Sequence, residues 1–202
     1  MSRPQLTELR IADPADRWQA LGFDVVRHHL QLGGVDIVLG APGEGITGWS
    51  IHGISPTNAI DGLPTTTEAP APQSQGAAHP NGAIGLDHVV ITTPDFDRTA
   101  QALDEHGLAL RRVRDAGNFR QGFRRLGPAI LELVENTSAP RWAPASFWGL
   151  VIVVDDLEAL ASRIAPHLSK PKPAVQPGRR IATLRATAGL SPAVAFMTPE
   201  PG

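Results

Sequence analysis

Residues 86–135 read LDHVVITTPDFDRTAQALDEHGLALRRVRDAGNFRQGFRRLGPAILELVE. Leu86 to Thr92 is a β-rich apolar run that contains a histidine and is halted by Thr93-Pro94. Phe96, Ala100, Leu103 and Gly107 follow at helical spacing, which predicts an amphipathic helix of about three turns. Asp95 and Asp97 sit where carboxylates favour a helix N-terminus, with Pro94 in or near the first turn. Gly107 is placed to stop the helix. Beyond it, strands are predicted over Leu108–Arg114, Phe119–Leu126 and Ala129–Glu135, separated by a glycine turn at Ala116–Asn118 and a tight Gly127-Pro128 turn. The order is β-α-β-β-β.

That order, with histidine in the first strand and the ELV glutamate in the last, resembles the vicinal-oxygen-chelate superfamily, the group of glyoxalases, bleomycin-resistance proteins and extradiol dioxygenases. The resemblance implies an α+β fold in which repeated βαβββ modules pair into a curved mixed sheet, a cup with helices on the outside. It implies that His88 and Glu132 line the cup as ligands of a divalent metal ion, with Glu132 also able to move a proton as catalytic base. A metal-assisted isomerase, lyase or dioxygenase acting on a small oxygen-rich substrate is one reading. A metal-free small-molecule-binding or drug-sequestering module of the same fold is the other. One fold hosts many chemistries, so the module pattern does not choose between them.

Outward from this stretch, residues 5–54 read as a shortened copy: strand QLTELRIA, helix ADPADRWQALGF, strands DVVRHHLQL and VDIVLGA, and a further strand in GITGWSIHGI. Aligning Pro14 with Pro94 preserves the apolar alternation of the first strand and drops Glu8 onto the His88 position. Aligning Asp13 with Asp95 puts Leu6 there instead. Residues 55–83 are rich in Pro, Thr, Ala and Gly, and read as a flexible linker that cannot offset its ordering entropy by burial. Such a linker permits the first module to pack beside the others or to pair across a homodimer. Residues 146–199 are a third copy, with an apolar strand SFWGLVIVV, a helix carrying Leu157, Leu160, Ala161 and Ile164, and strands from Ala174, over Arg179–Arg185 and over Ala193–Thr198. Gly149 takes the histidine position here, and Phe196 or a residue beside it takes the glutamate position. Modules 84–137 and 146–199 are expected to share one cup as a glyoxalase-like domain spanning 84–199.

The chain has 202 residues, a net charge of −2 and a pI near 6.4, which argues against nucleic acid as a partner. It has no cysteine, hence no disulfide framework and no thiolate chemistry. No apolar run approaches the roughly 20 residues of a membrane span, and MSRPQLTEL lacks a signal-peptide core, so a soluble cytoplasmic protein with a small-molecule partner is expected. Tyrosine is absent too. No GxSxG, phosphate loop, dinucleotide fingerprint or HExxH occurs.

His88 and Glu132 alone do not make a tight metal site, since hard divalent ions take three or more protein donors plus waters. Glu8 is the candidate third donor if modules one and two share the cup; a second His88–Glu132 pair from another chain is the alternative. The bland reading is that His88 and Glu132 hydrogen-bond each other as a structural pair. Phe123 and Trp148 are candidates to line an apolar ligand pocket, and Arg179, in the turn Gln176-Pro177-Gly178-Arg179-Arg180, to cover its mouth. Arg111, Arg112, Arg114, Arg120, Arg124 and Arg125 read as a solvated outer face, or as an anion-recognising wall. His79, in the linker, is expected at the surface.

Overall fold

The computed structural model describes residues 3–67, 78–115 and 117–201. The first half contains β1 (Gln5–Ile11), α1 (Ala15–Ala20), β2 (His29–Leu32), β3 (Val35–Leu39), β4 (Ile46–His52), β5 (Ala59–Ile60) and β6 (Leu63–Thr66). These strands form one sheet in the order β2-β3-β1-β4-β6-β5. The second half runs β7 (Ala83–Thr93), α2 (Phe96–Glu105), β8 (Arg112–Asp115), β9 (Arg120–Leu126), β10 (Ala129–Glu135), β11 (Ser146–Val154), α3 (Leu157–Arg163), β12 (Lys172–Pro173), β13 (Arg180–Thr183) and β14 (Ala193–Met197). Its eight strands are ordered β12-β13-β14-β11-β7-β10-β9-β8.

Each unit of the second sheet closes in the same way. Its first strand pairs in parallel with its last, β7 with β10 and β11 with β14, and the intervening helix and hairpin supply the long crossover that parallel pairing needs. The two units meet through antiparallel β7 and β11. Both helices start at an aspartate whose side chain accepts an orphan backbone N–H: Asp95 from Arg98 at 3.2 Å and Asp156 from Ala159 at 2.9 Å. Gly107, at φ 81°, supplies the left-handed residue that ends α2. Phe96, Thr99 and Leu103 of α2 and Leu157 and Leu160 of α3 are buried.

The first sheet repeats this plan in reduced form. β1 pairs in parallel with β3, β4 with β6, and β1 and β4 are antiparallel neighbours. Residues 46–66 are therefore a fourth unit without a helix. The bulges coincide as well: the register skips Thr7 on β1 as it skips Asp87 on β7, and Thr47 on β4 as it skips Trp148 on β11. This match supports the Pro14 alignment, in which Glu8 stands where His88 stands.

Part of the segment expected as a linker is thus built into the sheet. Ile60 and Leu63 are 1% exposed, and Trp49 donates its indole N–H to Thr65 at 2.8 Å, which pins β6 to β4. His79 is buried rather than superficial; its Nδ1 accepts from the Asp24 backbone at 3.0 Å and its Nε2 lies 2.8 Å from the Gln31 carbonyl oxygen. Residues 68–77 of the expected linker lie outside the described residues. The strand expected from Ala174 is found just before it, at Lys172–Pro173, and that expected over Leu108–Arg114 is confined to Arg112–Asp115.

The helix-side faces of the two sheets share one core. Leu6, Leu9 and Ile11 of β1 belong with Val89 and Ile91 of β7, and the rings of Trp49 and Phe147 meet at 5.2 Å. Each fully buried Leu or Ile there contributes about 1.5–3 kcal/mol. The opposite faces, carrying Glu8 on β1 and His88 on β7, turn away from this core. Among the described residues no helix is long and apolar enough to cross a membrane.

Candidate functional site

On a regular strand Asp87 and His88 would point to opposite faces. The bulge at Asp87 sets them side by side on the concave face of the eight-stranded sheet, where Leu86 pairs with Ile152 and His88 with Val151. His88 is 4% exposed, and its Nδ1 lies against Asp87 Oδ2. Arg179 reaches in from the turn before β13, placing Nη2 2.7 Å from Asp87 Oδ1 and donating through Nε to the Thr198 carbonyl at 2.8 Å. The contacting atoms His88 Nδ1, Asp87 Oδ2 and Arg179 Nη2 are buried and close in distance, though not in ideal hydrogen-bond alignment. Burial works to raise the Asp87 carboxyl, but contact with His88 and Arg179 outweighs it and holds the group below its ordinary value.

Glu132 lies on the same face. It pairs with Val90 across the β10–β7 ladder, two residue pairs along from Ile130 and His88, and faces Phe123 on β9. Gln121 donates to Glu132 Oε1 at 2.8 Å. Burial pushes the Glu132 carboxyl up; His88 and Gln121 pull against this, and the Asp87 charge adds to it. The Phe123 ring stands edge-on to His88 at 6.5 Å. Beside Glu132 opens a cleft of about 520 Å³, walled by Val90, Val134, Trp148, Val151, Ile181 and Ala195. Trp148 stands on the β11 bulge and is 56% exposed, with its ring at the rim.

The pseudo-symmetry of the sheet identifies what the other half contributes. Aligning the capping aspartates Asp95 and Asp156, and following the parallel registers, Gly149 is the counterpart of His88 and Ala195 that of Glu132. Neither offers a donor. At Gly149 no side chain fits at all, because a Cβ there would run into the Ala193 carbonyl oxygen. Glu8 does not supply the missing donor. It sits in the other sheet, on a face turned away from His88, and is paired with Arg10 Nη1 at 2.6 Å. That guanidinium also donates to Ser50 and Thr66, both at 3.1 Å, and fills the concave face of its own sheet.

The described residues of a single chain therefore bring two candidate metal donors, His88 and Glu132, to this face. The nearest additional carboxylate, Asp87, already holds the Arg179 guanidinium, and among the described residues no three His, Asp or Glu side chains are grouped to hold an ion. The structure brings together His88, Glu132, Phe123, Trp148 and Arg179 on one concave face and separates Glu8 from them. Sequence reasoning missed Asp87 and Gln121. Gln121 was findable by strand alternation with Phe123, whereas Asp87 was not, because only the bulge turns it inward.

No family model matches the chain, and no curated protein matches it. Among solved structures, a methylmalonyl-CoA epimerase from Mycobacterium tuberculosis is 19% identical over 59% of this chain and 91% of its own, with a TM-score of 0.49. A Streptomyces coelicolor methylmalonyl-CoA epimerase in complex with 2-nitronate-propionyl-CoA is 17% identical over 57% and 97%, with a TM-score of 0.46. A hypothetical protein from Bacillus halodurans C-125 is 17% identical over 58% and 95%, at 0.46. The strand order settles the architecture independently of these. With two βαβββ units joined through their first strands, this chain has the vicinal-oxygen-chelate fold.

Proposed function

We propose that the chain binds a small organic molecule in the concave cleft of its eight-stranded sheet, and that it does so without a metal ion. The observation that carries this is the buried Asp87–Arg179 ion pair beside His88: a fixed cation of the protein stands where a donor cluster would otherwise receive one. The apolar walls and the rim ring of Trp148 suit a flat, largely apolar ligand, with Glu132 and Gln121 as the polar groups that orient it. Titration with a neutral apolar dye, followed by Trp fluorescence, tests the reading. Saturable binding that survives exhaustive chelation and weakens on Trp148→Ala supports it. Binding that requires added metal, or ignores Trp148, overturns it.

A second reading rests on Glu132 itself. A carboxyl whose pKa is raised by burial, oriented by Gln121 and open to the cleft, is suited to accept and return a proton, the chemistry of an isomerase. Under this reading Glu132→Gln preserves ligand binding and abolishes exchange of an acidic ligand proton with deuterium, as read by NMR.

A further inference from the structure

The arginines of the β8–β9 edge divide between two environments. Arg120, on the helix side, is paired with Asp97 and Glu135 and lies 4.6 Å from the Phe96 ring centroid. The others have no acidic partner. Among the described residues Arg111, Arg112, Arg114, Arg124 and Arg125 make no ion pair, nor do the scattered Arg3, Arg27, Arg163 and Arg185, while Arg10, Arg17, Arg98, Arg141, Arg179 and Arg180 do. The registers show where they point. Phe123 opposes Glu132 and Arg125 opposes Ile130, so both are on the concave face; Arg112 opposes Phe123 and Arg114 opposes Gln121, so they share it.

These side chains border a groove of about 390 Å³, roofed by the turn at Val175–Pro177 and floored by Phe123 and His88. The groove adjoins the cleft at Glu132, the register partner of Phe123. Protection of an edge strand by charge accounts for Arg112 and Arg114. It does not account for Arg125, which stands on the interior strand β9 and lines the groove without an acidic partner; Arg124, on the opposite face, donates to the carbonyl oxygens of Ala109 and Gly107 at 3.3 and 3.4 Å. In a chain of net charge −2, Arg112, Arg114 and Arg125 share the concave face, with Arg111 and Arg124 at the border of the groove, and among the described residues none of the five has an acidic partner.

We infer that this groove is a binding site for the phosphate or pyrophosphate group of a small molecule, whose apolar part passes Phe123 and enters the cleft. The placement of the apolar part rests on the cleft reading above; the anion site itself does not. Planar guanidiniums receive phosphate oxygens in pairs, and a group bearing two or more charges matches several arginines where a single carboxylate would match one. The groove is a concavity continuous with the cup, which favours a small ligand over a polymer.

Calorimetric titration of the full chain with inorganic pyrophosphate, at constant ionic strength, tests the inference. Saturable binding is expected, weakened at least roughly tenfold in R112Q/R125Q by loss of charge-assisted hydrogen bonds. Both arginines are exposed, so the unliganded melting temperature of that variant should match the parent. The control R163Q/R185Q removes the same charge from exposed positions outside the groove and should bind as the parent does. Absence of saturable binding, equal affinity in R112Q/R125Q, or an equal loss in the control overturns the inference. Apolar-dye binding at Trp148 is read separately: if the dye still binds while pyrophosphate does not, the anion site alone falls.

Discussion

Arg179 and Asp87 form an ion pair at 2.7 Å in which the two side chains are only 3% and 10% exposed. Removing one partner strands the other in a region of low dielectric. Arg179→Met is expected to cost about 3–5 kcal/mol, and adding Asp87→Asn to recover part of the loss, because the pair rather than either charge is what the interior tolerates. Urea unfolding of the single and double variants measures both effects. A double variant less stable than Arg179→Met would contradict this account.

The two carboxyls of the cup respond to pH in opposite senses. Asp87 is held below its unfolded value, so its contribution to stability is present above about pH 4 and is lost as pH falls through the lower folded value. Glu132 is raised, so its contribution is complete below about pH 4 and is lost as pH rises through the folded value. Glu132→Gln, which removes the cost of ionising a buried carboxyl, should therefore stabilise the protein at neutral pH, with the gain disappearing in acid. Unfolding curves of variant and parent across pH 3–8 check the sign; a gap that widens on acidification would reverse it.

Gly149 is the position at which a second histidine would complete a symmetric donor set, and its backbone contact with Ala193 forbids a side chain. Gly149→Ala is expected to destabilise by about 1–3 kcal/mol through forced separation of β11 and β14. The melting temperature should fall, and the loss should exceed that of Ala195→Ser on the neighbouring strand.

Metal titration addresses the cup as a whole. With Asp87 occupied by Arg179, and Gly149 and Ala195 offering no donors, Mn²⁺, Co²⁺ and Zn²⁺ should show no saturable binding that depends on His88. Calorimetry on the parent and on His88→Ala should superimpose. A one-to-one heat in the parent that vanishes in the variant would restore the metal reading.

The sequence by itself determined the elements whose signals are local. The alternation in Ala129–Glu135 put Ile130, Glu132 and Val134 on one face, and the helical spacing from Phe96 to Leu103, with Asp95 as cap, placed α2 to within a residue or two. The resemblance placed Glu132 inside the cup, and the pairing of β9 with β10 sets Phe123 opposite it. Tertiary structure decided what depends on partners distant in the chain. Thr-, Pro- and Gly-rich residues 59–66 become β5 and β6 because β4 offers a parallel edge and Trp49 a buried indole N–H, neither visible in that stretch. Glu8 holds the register position of His88, but β1 and β7 belong to different sheets with opposed concave faces, so local equivalence does not bring the two side chains together. Asp87 turns inward only because pairing with β11 skips it, and Arg179 meets it only because the turn before β13 folds across the cup. A strand's period fixes the face of each side chain, whereas a bulge or a long-range ion pair is a property of two segments at once.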